Sequence, residues 1–205
     1  MLFYFFIGLV TSVIGAIPLG ATNVIVINTT LKTTVTEARK ILYPAAFGEV
    51  ILVVIALYAS MPIKDFVRTN SRLYLFVPFI MLLIGGILVL NKKSAEKKKS
   101  IISISKPLLG FSTGVLNPPV LIYWIFVLSF LNEQMIPITT KSAYWLLVSF
   151  IIGVFIGKAF TLFVYGKSSY YLKPRMSNVH SRINRFTGLL LIVVAVIQLI
   201  NIFFI

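Results

Sequence analysis

Long apolar runs alternate with short polar gaps along the whole chain. Six runs stand out, at residues 2–31, 41–60, 73–90, 107–131, 143–165 and 183–204. A helix rises about 1.5 Å per residue, so about 20 apolar residues cross a hydrocarbon core about 30 Å thick. Each run meets or approaches that length. The pattern predicts an all-α integral membrane protein with six transmembrane helices.

The gaps carry the charge, and their asymmetry sets an orientation. Loops on one side hold fourteen Lys and Arg residues: three from Lys32 to Lys40, six from Lys92 to Lys106, five from Lys167 to Arg185. The other side holds four, Lys64, Arg68, Arg72 and Lys141. By the positive-inside rule the richer side is cytoplasmic, which puts both termini outside. The apolar run that follows Met1 has no basic segment before it and is read as a permanent span rather than a cleaved signal.

The longest charged stretch, residues 91–106, separates residues 1–90 from residues 107–205. It reads as a basic cytoplasmic linker between two three-helix units. An odd number of spans per unit makes the second enter the bilayer with opposite polarity, the arithmetic of an inverted repeat. A linker between unrelated halves is the plainer reading.

Both units open with an interrupted span. Gly15-Ala16-Ile17-Pro18 breaks the first and Gly114-Val115-Leu116-Asn117-Pro118-Pro119 breaks the fourth. Proline has no N–H and clashes with the carbonyl four residues back. Pro18 is therefore expected to free the Ile14 carbonyl, and Pro118 and Pro119 those of Gly114 and Val115. Freed groups in hydrocarbon need protein, water or ligand partners. Polar residues gather beside both breaks: Thr22, Asn23 and Asn28 in the first span, Ser112, Thr113 and Asn117 in the fourth. Ordinary kinks would need no such company. Paired breaks flanked by Asn amides point to a substrate site between them, with Pro18, Gly20, Thr22, Asn23, Asn28, Thr113, Asn117 and Pro118 as candidate binding residues.

Two charges interrupt the apolar runs themselves. Glu49 lies eight residues beyond Ile41, about 12 Å along the second span. Lys158 lies at similar depth in the fifth span, and each charge follows a glycine. A charge at such depth is costly, so each needs a polar cavity or a partner. A structural ion pair between them is one reading. The other is a coupling or gating role, with Glu49 and Lys158 taking the ammonium and carboxylate of a zwitterion.

Composition narrows the class further. Of 205 residues 59% are hydrophobic and only 12% are charged, about half the charged share of a soluble domain, and the mean hydropathy is +0.99. The net charge of +14 sits in the gaps, where it serves topology and lipid headgroups rather than a nucleic-acid-binding face. Membrane lipid is the first partner implied. There is no cysteine, and the one histidine, His180, falls in a polar loop, so neither thiol chemistry nor a metal site is indicated. No Ser/His, Cys/His or paired-Asp arrangement appears within the spans, so the chain does not read as an enzyme, and no cofactor is implied. Gly85-Gly86 reads as a close helix approach, Trp124, Trp145, Tyr165, Tyr170 and Tyr171 as packing or interfacial anchors, and Gln198 and Asn201 as interhelical bonds.

The stretch from Ile17 through Pro18, Gly20 and Thr22 to Asn23 resembles the N-terminal motif of the lysine-exporter (LysE) family of amino-acid translocators. Gly114-Val115-Leu116-Asn117-Pro118 resembles that family's Asn-Pro motif, and Ile183-Asn184-Arg185-Phe186-Thr187-Gly188 its last-span opening. The likeness extends over essentially the whole length. Here Leu19 separates Pro18 from Gly20 and Pro119 follows Pro118, where the family pattern has an adjacent Pro-Gly and often a Lys. The resemblance implies a bacterial inner-membrane exporter of amino acids or close derivatives, driven by the proton gradient, with Pro18, Gly20, Asn23, Asn117 and Pro118 as its motif residues. A cation exporter of a related six-span superfamily and a non-transporting membrane scaffold are the competing readings. The sequence leaves room for a homo-oligomer.

Overall fold

The computed structural model describes residues 1–17, 20–69, 105–133, 136 and 138–172, with residues 61–69, 133 and 172 described by backbone alone. The expected third and sixth spans, linker residues 91–104, Pro18 and His180 lie outside the described residues, as do Gly85, Gly86, Gln198 and Asn201. Contacts divide the chain into two units, Met1–Ile63 with Ser103–Lys173 and Lys64–Ile102 with Pro174–Ile205. The described part of the second unit is the helical backbone of residues 64–69, so every described side chain belongs to the first.

Among the described residues there are six helices and no strand: α1 Leu2–Ala16, α2 Ala21–Lys32, α3 Val35–Thr69, α4 Lys106–Val115, α5 Pro118–Glu133 and α6 Tyr144–Leu172. Two of them, α3 over Val35–Ser60 and α6 over Tyr144–Tyr171, are each long and apolar enough to cross a membrane. The pairs α1–α2 and α4–α5 reach that length only together, with bends of 75° and 49°. The described residues thus hold two membrane-crossing helices, or four if each bent pair is one span.

Local chemistry sets several of these boundaries. α3 starts six residues before the apolar run does, because Thr34 and Glu37 have capping-box spacing. The Thr34 hydroxyl accepts the Glu37 amide at 3.2 Å and so satisfies an orphan donor of the first turn. α4 stops at Val115, where Pro118 and Pro119 cannot supply the amides that would continue it. Pro118 instead occupies the first position of α5, where a missing N–H costs nothing. The Asn117 carbonyl then accepts the amides of Val120 and Leu121 at 3.0 and 3.1 Å.

The helices meet by backbone contact at two crossings. On α6, Gly153 and Gly157 lie against α1, where a side-chain carbon would run into the carbonyls of Phe5 and Leu9. Gly8 of α1 returns the approach, facing the Phe150 carbonyl. On α4, Gly110 and Gly114 lie in the same way against the carbonyls of Ile41 and Ala45 of α3, and Gly48 of α3 faces the end of α4. Both α4 and α6 thus carry a G-x-x-x-G spacing turned toward a partner. In an apolar solvent, close packing of small residues is a main source of helix association. Apolar clusters fill in around the crossings, one of Val53, Trp124, Leu128, Phe150 and Val154, another of Val26, Ile41, Ala45 and Leu162.

Gly153→Ala and Gly110→Ala should each lower stability by about 1–3 kcal/mol, the usual cost of overpacking. Gly20→Ala should cost less, since nothing lies within 4 Å of the added carbon and only the N-cap preference of α2 is lost. Unfolding of detergent-solubilised protein compares the three, and equal stability of all three would show that the crossings are not tight.

Candidate functional site

The two charges within apolar helices find each other. Lys158 Nζ of α6 donates to Glu49 Oε2 of α3 at 2.7 Å, and Ser12 of α1 donates to Oε1 at 3.1 Å. The Glu49 and Lys158 side chains are 4% and 6% exposed, and Ser12 is fully buried. Both carboxylate oxygens therefore have a donor, and opposite charges cancel within hydrocarbon. Each charge stands fourteen residues into its crossing segment, at about 21 Å, which is near the middle rather than near one end. The depth expected for Glu49 was shallower because the helix was expected to start at Ile41.

The glycines explain how the three groups converge. Gly157, directly before Lys158, packs on the Leu9 carbonyl and on Cβ of Ser12. That contact seats the Ser12 hydroxyl beside the pair. Gly48, directly before Glu49, packs on the backbone of Phe111, Gly114 and Val115. The pair is thus clamped between the two close crossings.

The residues at the helix breaks are used as partners for backbone groups. The Asn23 amide, buried in α2, donates to the Ala16 carbonyl at the end of α1 at 2.9 Å. The Tyr165 hydroxyl of α6 donates to the next carbonyl, Ile17, at 2.6 Å. The Ile14 carbonyl, expected to be free, accepts the Ile17 amide at 3.2 Å in a tightened last turn. At the other break Leu116 bonds back to Ser112 at 2.8 Å, and the Thr113 carbonyl accepts the buried hydroxyl of Thr22 at 3.2 Å. The start of α2 therefore touches the end of α4. Tyr123 of α5 rests its ring on Gly15 and donates to the Thr11 carbonyl at 2.6 Å.

Among the sequence-derived candidates, the structure joins Glu49 to Lys158 and Thr22 to Thr113. Asn28 is half-buried on α2, and Gly20 and Pro118 are exposed. Asn117 is half-buried beside an open, mostly apolar cleft of about 230 Å³ that it shares with Leu52, Val115, Leu116, Pro118 and Leu121. Ser12, Tyr123 and Tyr165 were not foreseen as site residues. A hydroxyl in the middle of an apolar run was the available signal for Ser12, and the two G-x-x-x-G spacings were legible signals for the crossings.

The fold and the buried charges define the class: a membrane protein, all-helical among the described residues, whose long apolar helices hold an ion pair deep between them. No protein-family model, no curated protein and no solved structure matches the chain.

Lys158→Met alone leaves the Glu49 carboxylate buried without its counter-ion and should destabilise the protein by about 3–5 kcal/mol. Adding Glu49→Leu should restore most of that loss, since no charge then stays unpaired. A double-mutant cycle on denaturant unfolding reads the coupling, and a double variant whose loss equals the sum of the two single losses would show that none exists.

Proposed function

We propose that the chain is a bacterial inner-membrane exporter of amino acids or close derivatives, working by proton-coupled alternating access in a six-span fold of two inverted three-helix repeats. The observation that carries this reading is the buried Glu49–Lys158 pair, which links α3 of the first half to α6 of the second. Charged residues at such depth characteristically mark substrate or proton pathways.

The pattern of contacts supports the repeat. Exchanging α1 with α4 and α3 with α6 turns the α1–α6 crossing into the α4–α3 crossing, and both rest on glycine contacts to backbone, with the G-x-x-x-G pair on α6 in one and on α4 in the other. The exchange also turns Gly48-Glu49 into Gly157-Lys158. Half-helix ends that meet, as α2 and α4 do through Thr22 and Thr113, suit a binding site for a small polar solute. The family resemblance of the residues from Ile17 to Asn23 and from Gly114 to Pro118 favours an amino acid as that solute.

In this reading the closed pair is one end of the cycle. A zwitterion offers an ammonium to Glu49 and a carboxylate to Lys158, so it can replace each partner without leaving a bare charge. A proton on Glu49 removes the charge that holds Lys158 and frees α3 and α6 to separate. Conformational change needs such a differential interaction between two states. Asn117, Pro118 and Gly20 flank the breaks that would flex.

A non-transporting scaffold is the second reading, favoured by the completeness of the bonding. Glu49 has a donor on each oxygen, and the Ala16, Ile17 and Thr113 carbonyls are met by side chains. The cation-exporter reading has less support, since the ammonium of Lys158 already occupies one oxygen of the Glu49 carboxylate and hard cations want several oxygen ligands.

Cells preloaded with a panel of dipeptides, which hydrolyse to free amino acids inside, give the test. Cells making the protein should release a subset faster than empty cells, and Glu49→Gln should abolish the difference. Faster release that persists in Glu49→Gln would keep the exporter and remove Glu49 from coupling. No faster release of any compound, with the protein present in the membrane, would leave the scaffold and cation-exporter readings.

A further inference from the structure

Between α3 and α6 runs an open groove of about 430 Å³. Its walls are Leu42 and Tyr43 of α3 and Phe155, Ile156, Ala159, Phe160 and Phe163 of α6. Tyr43, Ile156 and Phe160 are exposed, so the groove opens outward, toward lipid when α3 and α6 cross the bilayer. From Phe155 to Phe163 it follows α6 for about 12 Å.

One end of the groove is charged. Arg39 lines it, with its guanidinium carbon 5.4 Å from the centre of the Phe163 ring, and Lys167 Nζ stands 5.9 Å from the same ring centre. Both side chains are exposed. Among the described residues neither has a carboxylate partner: Glu37 is taken by Lys40 and Lys106, and Glu49 by Lys158. Two cations on one ring, with no carboxylate partner among the described residues, at the mouth of an apolar groove and one end of two crossing helices, make a site that is anion-seeking at the headgroup level and acyl-seeking below it.

We propose that this groove holds an anionic phospholipid, with its phosphate between Arg39 and Lys167 and one acyl chain lying along Ala159, Phe160 and Ile156. Guanidinium suits a phosphate because its forked donors match two oxygens. Basic pockets between membrane helices take anionic headgroups for the same reason. A free anion would gain nothing from the apolar wall, and a neutral or zwitterionic lipid gains less from the cations. A lipid seated here splints α3 against α6, the two helices that carry the buried charges. The proposal requires only that these helices cross the bilayer, and it stands or falls separately from the exporter reading.

Native mass spectrometry of the full chain in detergent tests it, with phosphatidylglycerol and phosphatidylcholine of identical acyl chains as probes. Phosphatidylglycerol adducts should survive preferentially, by roughly thirtyfold for two favourable cations at about 1 kcal/mol each. Arg39→Gln with Lys167→Gln should erase the preference. Lys32→Gln with Lys40→Gln, which removes the same charge from the same end but away from the groove, should keep it. Ala159→Trp, which fills the groove, should remove the adducts while the Arg39 and Lys167 charges remain. Equal retention of the two lipids by the unaltered chain would overturn the proposal, as would equal losses in the two charge variants or full competition by inorganic phosphate. A change from dimer to monomer in Ala159→Trp with lipid adducts unchanged would assign the groove to a second copy of the chain and also overturn it.

Discussion

A carboxylate and an ammonium buried at the middle of two apolar helices constrain everything packed around them. Either one alone would be too costly in hydrocarbon to persist ionised, so α3 and α6 must lie at a register that holds Glu49 and Lys158 within 2.7 Å. That register brings the adjoining Gly157 to α1 and Gly48 to α4. Ser12 then supplies the donor for the second oxygen of the carboxylate. Four of the described helices are thereby tied to one electrostatic point.

Close backbone approach is the complement of that pair. Lipid tails are as apolar as leucine, so membrane helices gain little from simple burial and more from tight contact. The G-x-x-x-G spacings of α4 and α6 provide the contact, with Gly48 and Gly8 opposite them. Removing side-chain bulk at these points lets a hydroxyl reach a neighbouring helix and lets Glu49 meet Lys158 without a water-filled cavity. Packing and polarity are one arrangement here, because the glycines stand directly before the charges.

The helix breaks follow a different logic. A break exposes carbonyls that the bilayer cannot satisfy, and the chain meets them from three directions: Asn23 from the next helix, Tyr165 from α6, and Thr22 across to α4. These bonds are modest singly. In the proposed exporter they are also the ones a polar solute would compete for, so sealing the breaks and opening them would engage the same atoms.

Sequence by itself determined the class and the positions of the exceptions to it. The apolar runs fixed the helical, membrane-crossing character, because the length needed to cross hydrocarbon can be read directly from composition. Pro118 and Pro119 marked the end of α4, since a missing N–H is a local fact. Glu49 and Lys158 stood out for the cost of charge at depth, though only the fold could pair them: residues 109 positions apart meet through the crossing of two helices. The same holds for Ser12, for the use of Asn23 and Thr22 on carbonyls, and for Arg39 and Lys167 converging on Phe163. Local chemistry sets where a helix starts and stops. Which face meets which neighbour depends on packing across the whole bundle, and that information is not local to any stretch of the chain.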